Sequence, residues 1–508
     1  MADPHSTSHS SPRSSAGPAS PNTPGQHTLH RDSGATAKIH AGTGAEPAGT
    51  PVVAPVHLSA AYEFATLAEA RERFAQRSPG LTYSRTGNPT VALFERRIAA
   101  LEGGVGAVAT ASGQAALSLT LLALAGRSGQ SPDGEPDPGV SAGHIVASER
   151  IYGGTADLLN DTLAEAGIEV TWVDPHHPQS WRQAITFRTR ALLVESIGNP
   201  HADLPDIPAL AEIAHSAQLP LVVDNTLASP HLLRPGQLGA DLVVHSATKY
   251  LSGGGTVLGG AIVDTGRFTP SADPQRWLQL TTARRRFGGR SLVAAHGDHG
   301  ALLHLIRAQL LNDLGPTLAP WNAQQLLEGI ETLDVRMERH CRSTEELARR
   351  LERHLAVETV RHPSLPASQD AAIAQRDFPR GAGAVLSFEL PERADVERFF
   401  DSLTLVKLAA NLGDARTLAC HPASMTHCRL SEELRAAGAI TEQTVRLAVG
   451  REDVEDIWAD LASSLEAALG HRPQEEHRPQ EGPGWQTAQQ GSGFDVRDEL
   501  RILEGVRA

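Results

Sequence analysis

The sequence predicts an α/β protein that has a mostly parallel sheet in a large domain and a smaller α+β domain towards its C-terminus. Three observations predict this fold class. Between residues 91 and 264, short runs rich in Val, Ile, Leu and Ala alternate with helical patterns. These runs are apolar on both faces, which is typical of parallel strands covered by helices on both sides of a sheet. From residue 301 the pattern changes to long helices, followed by further strand-like runs.

The predicted elements follow one another in a regular order. In the large domain, helices are predicted at 90–101, 115–123, 155–166 and 207–217, and strands at 105–110, 144–148, 170–173, 191–194, 221–223, 242–245 and 259–263. In the smaller domain, a long helical pattern at 301–355 precedes strand-like runs at 384–388, 405–409 and 445–449 and a last helix at 454–468.

Polar and low-complexity stretches suggest the domain boundaries. Residues 1–36 are rich in Ser, Pro, Gly and His and are predicted to be disordered. We expect an N-terminal arm at 37–90, a large domain at 91–300, a C-terminal small domain at 301–469 and a polar tail at 470–508. A Gly- and Pro-rich stretch at 126–143 is predicted to be a surface insertion within the large domain.

Composition excludes several classes of protein. A net charge of −14 argues against nucleic acid as the main partner, because a phosphate-binding surface needs an excess of basic residues. No apolar run approaches the roughly 18 residues of a membrane span, and no signal peptide is visible. Three cysteines are too few for a disulfide framework. We therefore expect a cytoplasmic protein that binds neither membrane nor nucleic acid.

Lysine is rare in this chain. Only three of its 45 basic residues are lysines, namely Lys38, Lys249 and Lys407. Lys249 lies directly after a predicted strand, whereas Lys38 and Lys407 have no comparable setting. This scarcity directs attention to Lys249.

Polar residues follow two predicted strands that should be neighbours. Asp224 comes directly after the strand at 221–223, and Ser246, Thr248 and Lys249 follow the strand at 242–245. Ligands bind at the carboxyl ends of strands in an open parallel sheet, so both groups are expected to face one crevice. The acid and the lysine could form a simple ion pair. Alternatively, they could be the Schiff-base lysine and the carboxylate partner of a pyridoxal 5′-phosphate (PLP) ring.

A helix start after the first strand is a candidate phosphate site. Ser112, Gly113 and Gln114 open the predicted helix, and the free N–H groups of a helix N-terminus suit an anion. A glycine at such a position can also serve only as a turn, so by itself this motif is weak evidence for a phosphate site.

Eight motifs, in order along residues 37–469, resemble the Cys/Met-metabolism family of fold-type-I PLP enzymes. This family includes cystathionine γ-synthase and γ-lyase, methionine γ-lyase and O-acetylhomoserine sulfhydrylase. The motifs are YSRTGNPT at 83–90, ASGQ at 111–114, IYGGT at 151–155, ESIGNP at 195–200, VDNT at 223–226, HSATKY at 245–250, HPASMTH at 421–427 and RLAVG at 446–450.

The resemblance implies a role for each matched residue. Lys249 would hold PLP and move protons between substrate carbons, with Tyr152 as the second catalytic residue, stacked on the ring. Asp224 would pair with the pyridine nitrogen and Asn199 with the ring hydroxyl oxygen. Arg446, together with Asn411, would bind the substrate, its guanidinium clamping the α-carboxylate. The remaining cofactor-binding residues would hold the phosphate: Ser112, Gly113, Gln114, Ser246 and Thr248.

The resemblance also implies an oligomer with shared active sites. Tyr83 and Arg85, in the N-terminal arm, would reach the phosphate in a neighbouring subunit. The expected assembly is a homo-oligomer, a tetramer built from dimers. No metal is expected, because the family motif accounts for His421 and His427 although each lies beside a cysteine.

Two segments resemble the sulfhydrylase branch of the family. They are NLGDART at 411–417 and ESIGNP at 195–200. This similarity implies γ-replacement on O-acetylhomoserine by sulfide or a thiol, giving homocysteine or methionine and acetate, a reaction of methionine biosynthesis. Met425 and Leu227 differ from that branch. Cystathionine- or methionine-lyase-type transsulfuration or elimination, another nucleophile, and a non-catalytic binding protein therefore remain open as alternatives.

Overall fold

The structure, a computed structural model, describes residues 34–43, 51–126 and 142–470. Apart from their edge residues, the predicted disordered segment at 1–36, the insertion at 126–143 and the tail at 470–508 lie outside these ranges. The five-part domain division remains a prediction. Within the described ranges, none of the helices combines the length and apolar character that a membrane span needs.

Seven strands form the larger sheet. In chain order they are β1 Gly106–Thr110, β2 His144–Ser148, β3 Glu169–Val173, β4 Thr189–Glu195, β5 Leu221–Asp224, β6 Leu242–Ser246 and β7 Gly260–Asp264. Their spatial order is β1-β7-β6-β5-β4-β2-β3. Only β7 runs against its neighbours β1 and β6, so the expectation of a mostly parallel sheet is confirmed.

The second sheet has five strands in the order β10-β11-β12-β9-β8. They are β8 Thr359–Arg361, β9 Val385–Glu389, β10 Lys407–Leu408, β11 Leu418–Cys420 and β12 Thr444–Ala448. Only the β10–β11 pair is parallel. Strands β8 and β11 were not predicted from the sequence, and the predicted strand at 405–409 pairs over only two residues. All three are short, which leaves little room for a recognisable periodicity.

Helices surround both sheets. The α-helices are Ala35–His40, Leu67–Phe74, Pro89–Glu102, Gly113–Ala125, Gly153–Asp157, Leu163–Glu165, Pro178–Ala184, Ile207–Ser216, Ser229–Leu232, Leu278–Thr281, Leu292–His296, Asp298–Leu305, Asn312–Leu314, Pro320–Glu331, Leu333–Leu351, Ala371–Asp377, Val396–Ser402, Glu432–Ala437 and Val454–Ala468. Leu158–Thr162 and Ile306–Leu311 are π-helical, and Pro235–Leu238, Pro270–Ala272 and Arg285–Phe287 are 3₁₀-helical.

The buried strands explain why the larger sheet is covered on both faces. On β4, Leu192 packs into the core on one side of the sheet and Leu193 into the core on the other. Val223 and Val222 divide in the same way on β5. Because successive side chains of a strand point to opposite faces, an unbroken apolar run requires helices on both sides. This packing leaves the strand ends as the place for polar chemistry.

Candidate active site

The carboxyl ends of β4, β5 and β6 open into a cavity of about 200 Å³ that also receives residues of the second sheet. The cavity brings together ten of the residues predicted from the sequence. They are Ser112, Gly113, Gln114, Tyr152, Asn199, Asp224, Ser246, Thr248, Lys249 and Arg446. The crevice expected at the carboxyl ends of parallel strands is therefore present.

One end of the cavity is built around a helix N-terminus. Ser112 caps the helix Gly113–Ala125 by accepting a hydrogen bond from the Ala115 N–H at 3.1 Å. A Cβ on Gly113 would lie 2.5 Å from the Ser246 Cβ, so only glycine allows the helix start to approach β6 this closely. The free N–H groups at the start of such a helix provide a binding site for an anion.

Two carboxyl groups lie at the ends of β4 and β5. Asp224 accepts hydrogen bonds from the Thr226 N–H at 3.0 Å and from the Thr226 hydroxyl at 2.5 Å. Burial raises the pKa of Asp224, and these hydrogen bonds offset part of the rise. Burial, together with the nearby Asp224, raises the pKa of Glu195 well above its ordinary value. The region is therefore one in which an added positive charge would be stabilised.

Lys249 lies in the turn after β6, and its Nζ donates to the Asn411 Oδ1 at 2.5 Å. Burial lowers the pKa of Lys249 to about 8, and the positive charge of Arg446 contributes to the decrease. A lysine in this setting supplies far more neutral amine near pH 8 than an exposed lysine does.

The backbone of the segment at 411–417 lies against the lysine. Gly413 has φ +73°, and a Cβ there would come within 2.7 Å of the Lys249 carbonyl carbon. Glycine therefore allows both the left-handed conformation and the close approach. This packing brings Asn411 to the lysine, although Asn411 itself does not line the cavity.

Arg446 enters the cavity from β12 and is only 1% exposed. Its Nη1 donates to the Asn199 Oδ1 at 3.3 Å, and its Nη2 donates to the Asn411 carbonyl at 3.1 Å. The guanidinium faces no carboxylate in these contacts, so it has the capacity to bind one from a ligand.

Tyr152 and Gln114 form another part of the cavity wall. The Tyr152 N–H donates to Glu195 at 2.9 Å, and the Gln114 amide donates to the Gly154 carbonyl at 2.7 Å. The Tyr152 ring passes so close to Gly154 that a Cβ there would be 2.6 Å from it. Tyr152 remains 40% exposed and lines the cavity, so its ring is available for stacking.

Tyr83 and Arg85 do not line the cavity of the single chain. The Arg85 guanidinium lies 5.3 Å from the centre of the Tyr83 ring, and Tyr83 is 46% exposed. Their assignment to a neighbouring subunit's phosphate remains a prediction.

The structure also shows lining residues to which the sequence analysis gave no role. Glu195 and Thr226 both hydrogen-bond to residues predicted to be in the site, and Leu258 and Leu412 add apolar surface. The position of Glu195 at the end of the strand beside Asp224 was a usable signal. Nothing in the local sequence distinguished Leu258.

The two remaining lysines differ from Lys249. Lys38 is buried on the helix Ala35–His40, and Lys407 is exposed on β10. Among the histidines beside cysteines, His421 hydrogen-bonds to the Ser424 hydroxyl at 2.7 Å and His427 to the Thr426 hydroxyl at 2.9 Å.

The groups around the cavity fit PLP by their chemistry. The cavity brings together four groups: an amine with a lowered pKa, a buried carboxyl group, an accessible tyrosine ring, and a helix N-terminus that Gly113 allows to lie close to β6. Groups of these kinds are chemically complementary to the aldehyde, the ring nitrogen, the ring face and the phosphate of PLP.

Comparison with known proteins agrees with this chemistry. Residues 35–466 match the family described as Cys/Met metabolism PLP-dependent enzyme. The chain is 41% identical over 437 residues to Sulfhydrylase FUB7 of Fusarium oxysporum f. sp. lycopersici, covering 86% of this chain and 98% of that one. It is 39% identical over 446 residues to O-acetyl-L-homoserine sulfhydrylase of Leptospira meyeri, covering 85% and 96% respectively.

A solved structure extends the similarity to three dimensions. A Campylobacter jejuni protein described as an O-acetylhomoserine (thiol)-lyase superposes with a TM-score of 0.79 at 34% identity, covering 85% of this chain and 99% of that one. Its crystal structure contains N′-pyridoxyl-lysine-5′-monophosphate. The family match spans both sheets and the whole cavity, and the chain therefore belongs to the Cys/Met-metabolism family of PLP-dependent enzymes.

Proposed function

We propose that this protein catalyses γ-replacement on O-acetyl-L-homoserine, with sulfide as the nucleophile, and releases L-homocysteine and acetate. A thiol such as methanethiol would give methionine in the same reaction. The observation that carries the proposal is the contact of Lys249 with the Asn411 segment beside Arg446, in a chain similar to proteins named as sulfhydrylases.

The cofactor site would use residues at both ends of the cavity. Asp224 would face the pyridine nitrogen, Asn199 the ring hydroxyl oxygen and Tyr152 the ring face. Ser112, Gly113, Gln114, Ser246 and Thr248 would hold the phosphate. When bound, PLP supplies an electron-withdrawing system that makes the hydrogens on the substrate Cα and Cβ acidic enough for acetate to leave from Cγ.

Lys249 would move the protons. Its lowered pKa, about 8, provides a substantial fraction of neutral amine at neutral to mildly alkaline pH. The neutral amine accepts the α-proton, and the resulting ammonium returns a proton to the product. Asn411 accepts a hydrogen bond from the same nitrogen and so would orient it.

Arg446 would orient the substrate. Its guanidinium is shaped to bind a carboxylate through two parallel N–H groups, and its hydrogen bonds to Asn199 and Asn411 use neutral acceptors. Binding the α-carboxylate there fixes the Cα–H bond relative to Lys249, which lowers the entropic part of the barrier.

The quaternary structure and compartment follow from the same proposal. The site would be completed by Tyr83 and Arg85 of a neighbouring subunit, within a dimer or a tetramer built from dimers. A metabolic enzyme of this kind would act in the cytoplasm.

Product analysis tests the function. The purified holoenzyme would be offered O-acetyl-, O-succinyl- and O-phosphohomoserine, each with sulfide, methanethiol or cysteine. We expect equimolar homocysteine and acetate from O-acetylhomoserine and sulfide. Cystathionine from cysteine, or 2-oxobutanoate and ammonia, as the main product would contradict the proposal in favour of transsulfuration or elimination.

A further inference from the structure

A row of side chains crosses the second sheet at the level of Arg446. The row contains one residue from each of four neighbouring strands. Arg361 on β8 pairs with Ser387 on β9, Ser387 pairs with Arg446 on β12, and Arg446 pairs with Cys420 on β11. Register partners project from the same face of a sheet and contact each other. The adjoining row, Leu386, Leu447 and Ala419, packs into the core on the other face. Arg446 is thus one member of a polar row that faces the larger sheet.

The loop after β4 meets this row at two points. Asn199 accepts a hydrogen bond from Arg446 at 3.3 Å. Two residues later, the His201 ring lies against Ser387 and Arg361, with Nδ1 at 2.6 Å from the Ser387 hydroxyl and Nε2 at 3.0 Å from the Arg361 Nη1. His201 is only 2% exposed and does not line the cavity.

The loop is held in place independently of this row. The Gly198 N–H donates to the Asp203 carbonyl at 2.8 Å within the loop, and the Leu204 N–H donates to Asp370 at 3.0 Å. At its start, Glu195 accepts the Tyr152 N–H. The loop therefore holds Asn199 and His201 in fixed positions, and each of them contacts a different strand of the row.

We infer that His201 is a positioning residue for the substrate carboxylate. Its contact with Ser387 would hold the polar row in place relative to the loop that carries Asn199, and so would hold the Arg446 guanidinium where the carboxylate binds. The inference rests on the proposed role of Arg446. His201 would act without contacting substrate or cofactor. Losing its ring would let the row move relative to Asn199 and displace the Arg446 guanidinium, while Asp224 at the end of β5 would keep its contacts with Thr226.

The charges around His201 are compatible with this role across the working pH range. Burial lowers the pKa of His201 to about 3, and the positive charges of Arg361, Arg150 and His427 contribute to the decrease, partly offset by the Ala439 carbonyl. The ring therefore stays neutral, and the contact with Arg361 is not lost through repulsion between two cations.

The test measures binding of L-norvaline, an amino acid that carries the α-carboxylate but no leaving group. In the holoenzyme, His201→Ala should raise the dissociation constant at least about tenfold, the scale of a disrupted buried hydrogen-bonding contact. The visible absorbance of the bound cofactor should keep its wild-type form. For O-acetylhomoserine, KM should rise more than kcat falls.

His144→Ala is the matched control. His144 is also buried, with its two ring nitrogens each 2.9 Å from a threonine hydroxyl, but it lies within the larger sheet. It should lower thermal stability with no tenfold change in norvaline affinity. Equal losses of affinity in both variants would overturn the inference, because the effect would then be general destabilisation.

A second variant covers the case in which His201→Ala does not fold. Ser387→Ala removes only the hydroxyl and should weaken norvaline binding in the same direction. Where both single variants fold, the double variant should lose less affinity than the sum of the two losses, since both break one contact. Unchanged norvaline affinity in Ser387→Ala would refute the inference. Norvaline binding needs no sulfide, so a failed sulfhydrylase assay remains a separate result.

Discussion

Glu195 and Asp224 occupy paired register positions at the ends of the neighbouring parallel strands β4 and β5. Both carboxyl groups have a raised pKa, chiefly because of burial, and the charge of Asp224 adds to the rise for Glu195. A positively charged ring nitrogen beside Asp224 would stabilise the ionised forms of these two neighbouring buried carboxyl groups. If Asp224 faces the ring nitrogen as proposed, the cofactor would stabilise this pair of strand ends.

The Lys249 amine is predicted to be essential. Lys249→Ala should lower turnover at least about 10³-fold, the scale of removing an acid–base group, and should abolish covalent retention of the cofactor. Steady-state kinetics and mass spectrometry after borohydride reduction measure the two effects. Lys407→Ala, which removes an exposed lysine, is the control and should behave as wild type. Turnover by Lys249→Ala with normally retained cofactor would contradict the assignment.

Arg446 is predicted to set part of the reactivity of Lys249. Removing its positive charge in Arg446→Ala should raise the pKa of Lys249 from about 8 towards 10.5, incompletely, because burial is the larger cause. Neutral amine would then form at higher pH. Trace acetylation of the cofactor-free protein at several pH values, quantified for the Lys249 peptide, should show the midpoint moving to higher pH. A midpoint that stays in place would show that the guanidinium charge does not act on the lysine.

Asp224→Asn should separate cofactor binding from chemistry. The variant should bind PLP but exchange the substrate α-proton into deuterated water at least about 10²-fold more slowly, because an amide does not keep the pyridine nitrogen protonated. An exchange rate equal to that of the wild type would argue against this role.

Asp224→Asn, which should slow the chemistry, should stabilise the folded state of the cofactor-free protein. Because the folded-state pKa of Asp224 lies above its ordinary 3.8, ionisation costs stability as the pH rises from about 4 through the folded-state pKa. The substituted asparagine avoids this cost while its amide oxygen still accepts the Thr226 hydrogen bonds. The melting temperature of Asp224→Asn should exceed that of wild type at pH 8, with the difference disappearing in acid.

Gly113→Ala should weaken cofactor binding. Its Cβ would be forced against Ser246, so the helix start would shift and PLP affinity should fall roughly tenfold or more, the scale of one overpacked contact. A matched control is Gly254→Ala, whose nearest neighbour would be 3.5 Å away. Equilibrium titration with PLP measures both, and equal affinities would refute the steric argument.

Sharing of the site between subunits is predicted to allow complementation. Arg85→Ala and Lys249→Ala should each be nearly inactive, yet a mixture that has exchanged subunits should recover up to about a quarter of wild-type activity. Half of the dimers are then mixed, and one of their two sites is intact. Asp224→Asn mixed with Lys249→Ala is the control, because both residues line the cavity of one chain and no intact site forms. No recovery in verified heterodimers of the Arg85 and Lys249 variants would mean that each site is built within one chain.

The chemistry of the larger sheet was readable from the sequence, whereas that of the second sheet was not. Asp224 and Lys249 follow apolar runs that mark buried strands, and the carboxyl ends of such strands meet at one edge. Arg446 lies within β12 far along the chain, and only the family resemblance connected it to the site. The reversed direction of β7 and the contact of His201 with Ser387 depend on tertiary packing, which local patterns do not encode.

The distribution of the three lysines has a consequence for a protein that handles a reactive aldehyde. Lys38 is enclosed by the protein and Lys407 is the exposed one, while Lys249 opens into the cavity. Excess PLP would therefore meet few competing lysine amines on the described surface. Unwanted lysine adducts there would be confined largely to Lys407. Most of the cationic surface is carried instead by arginine, which does not form such adducts at neutral pH. The chain is in this sense protected against nonspecific modification by its own cofactor.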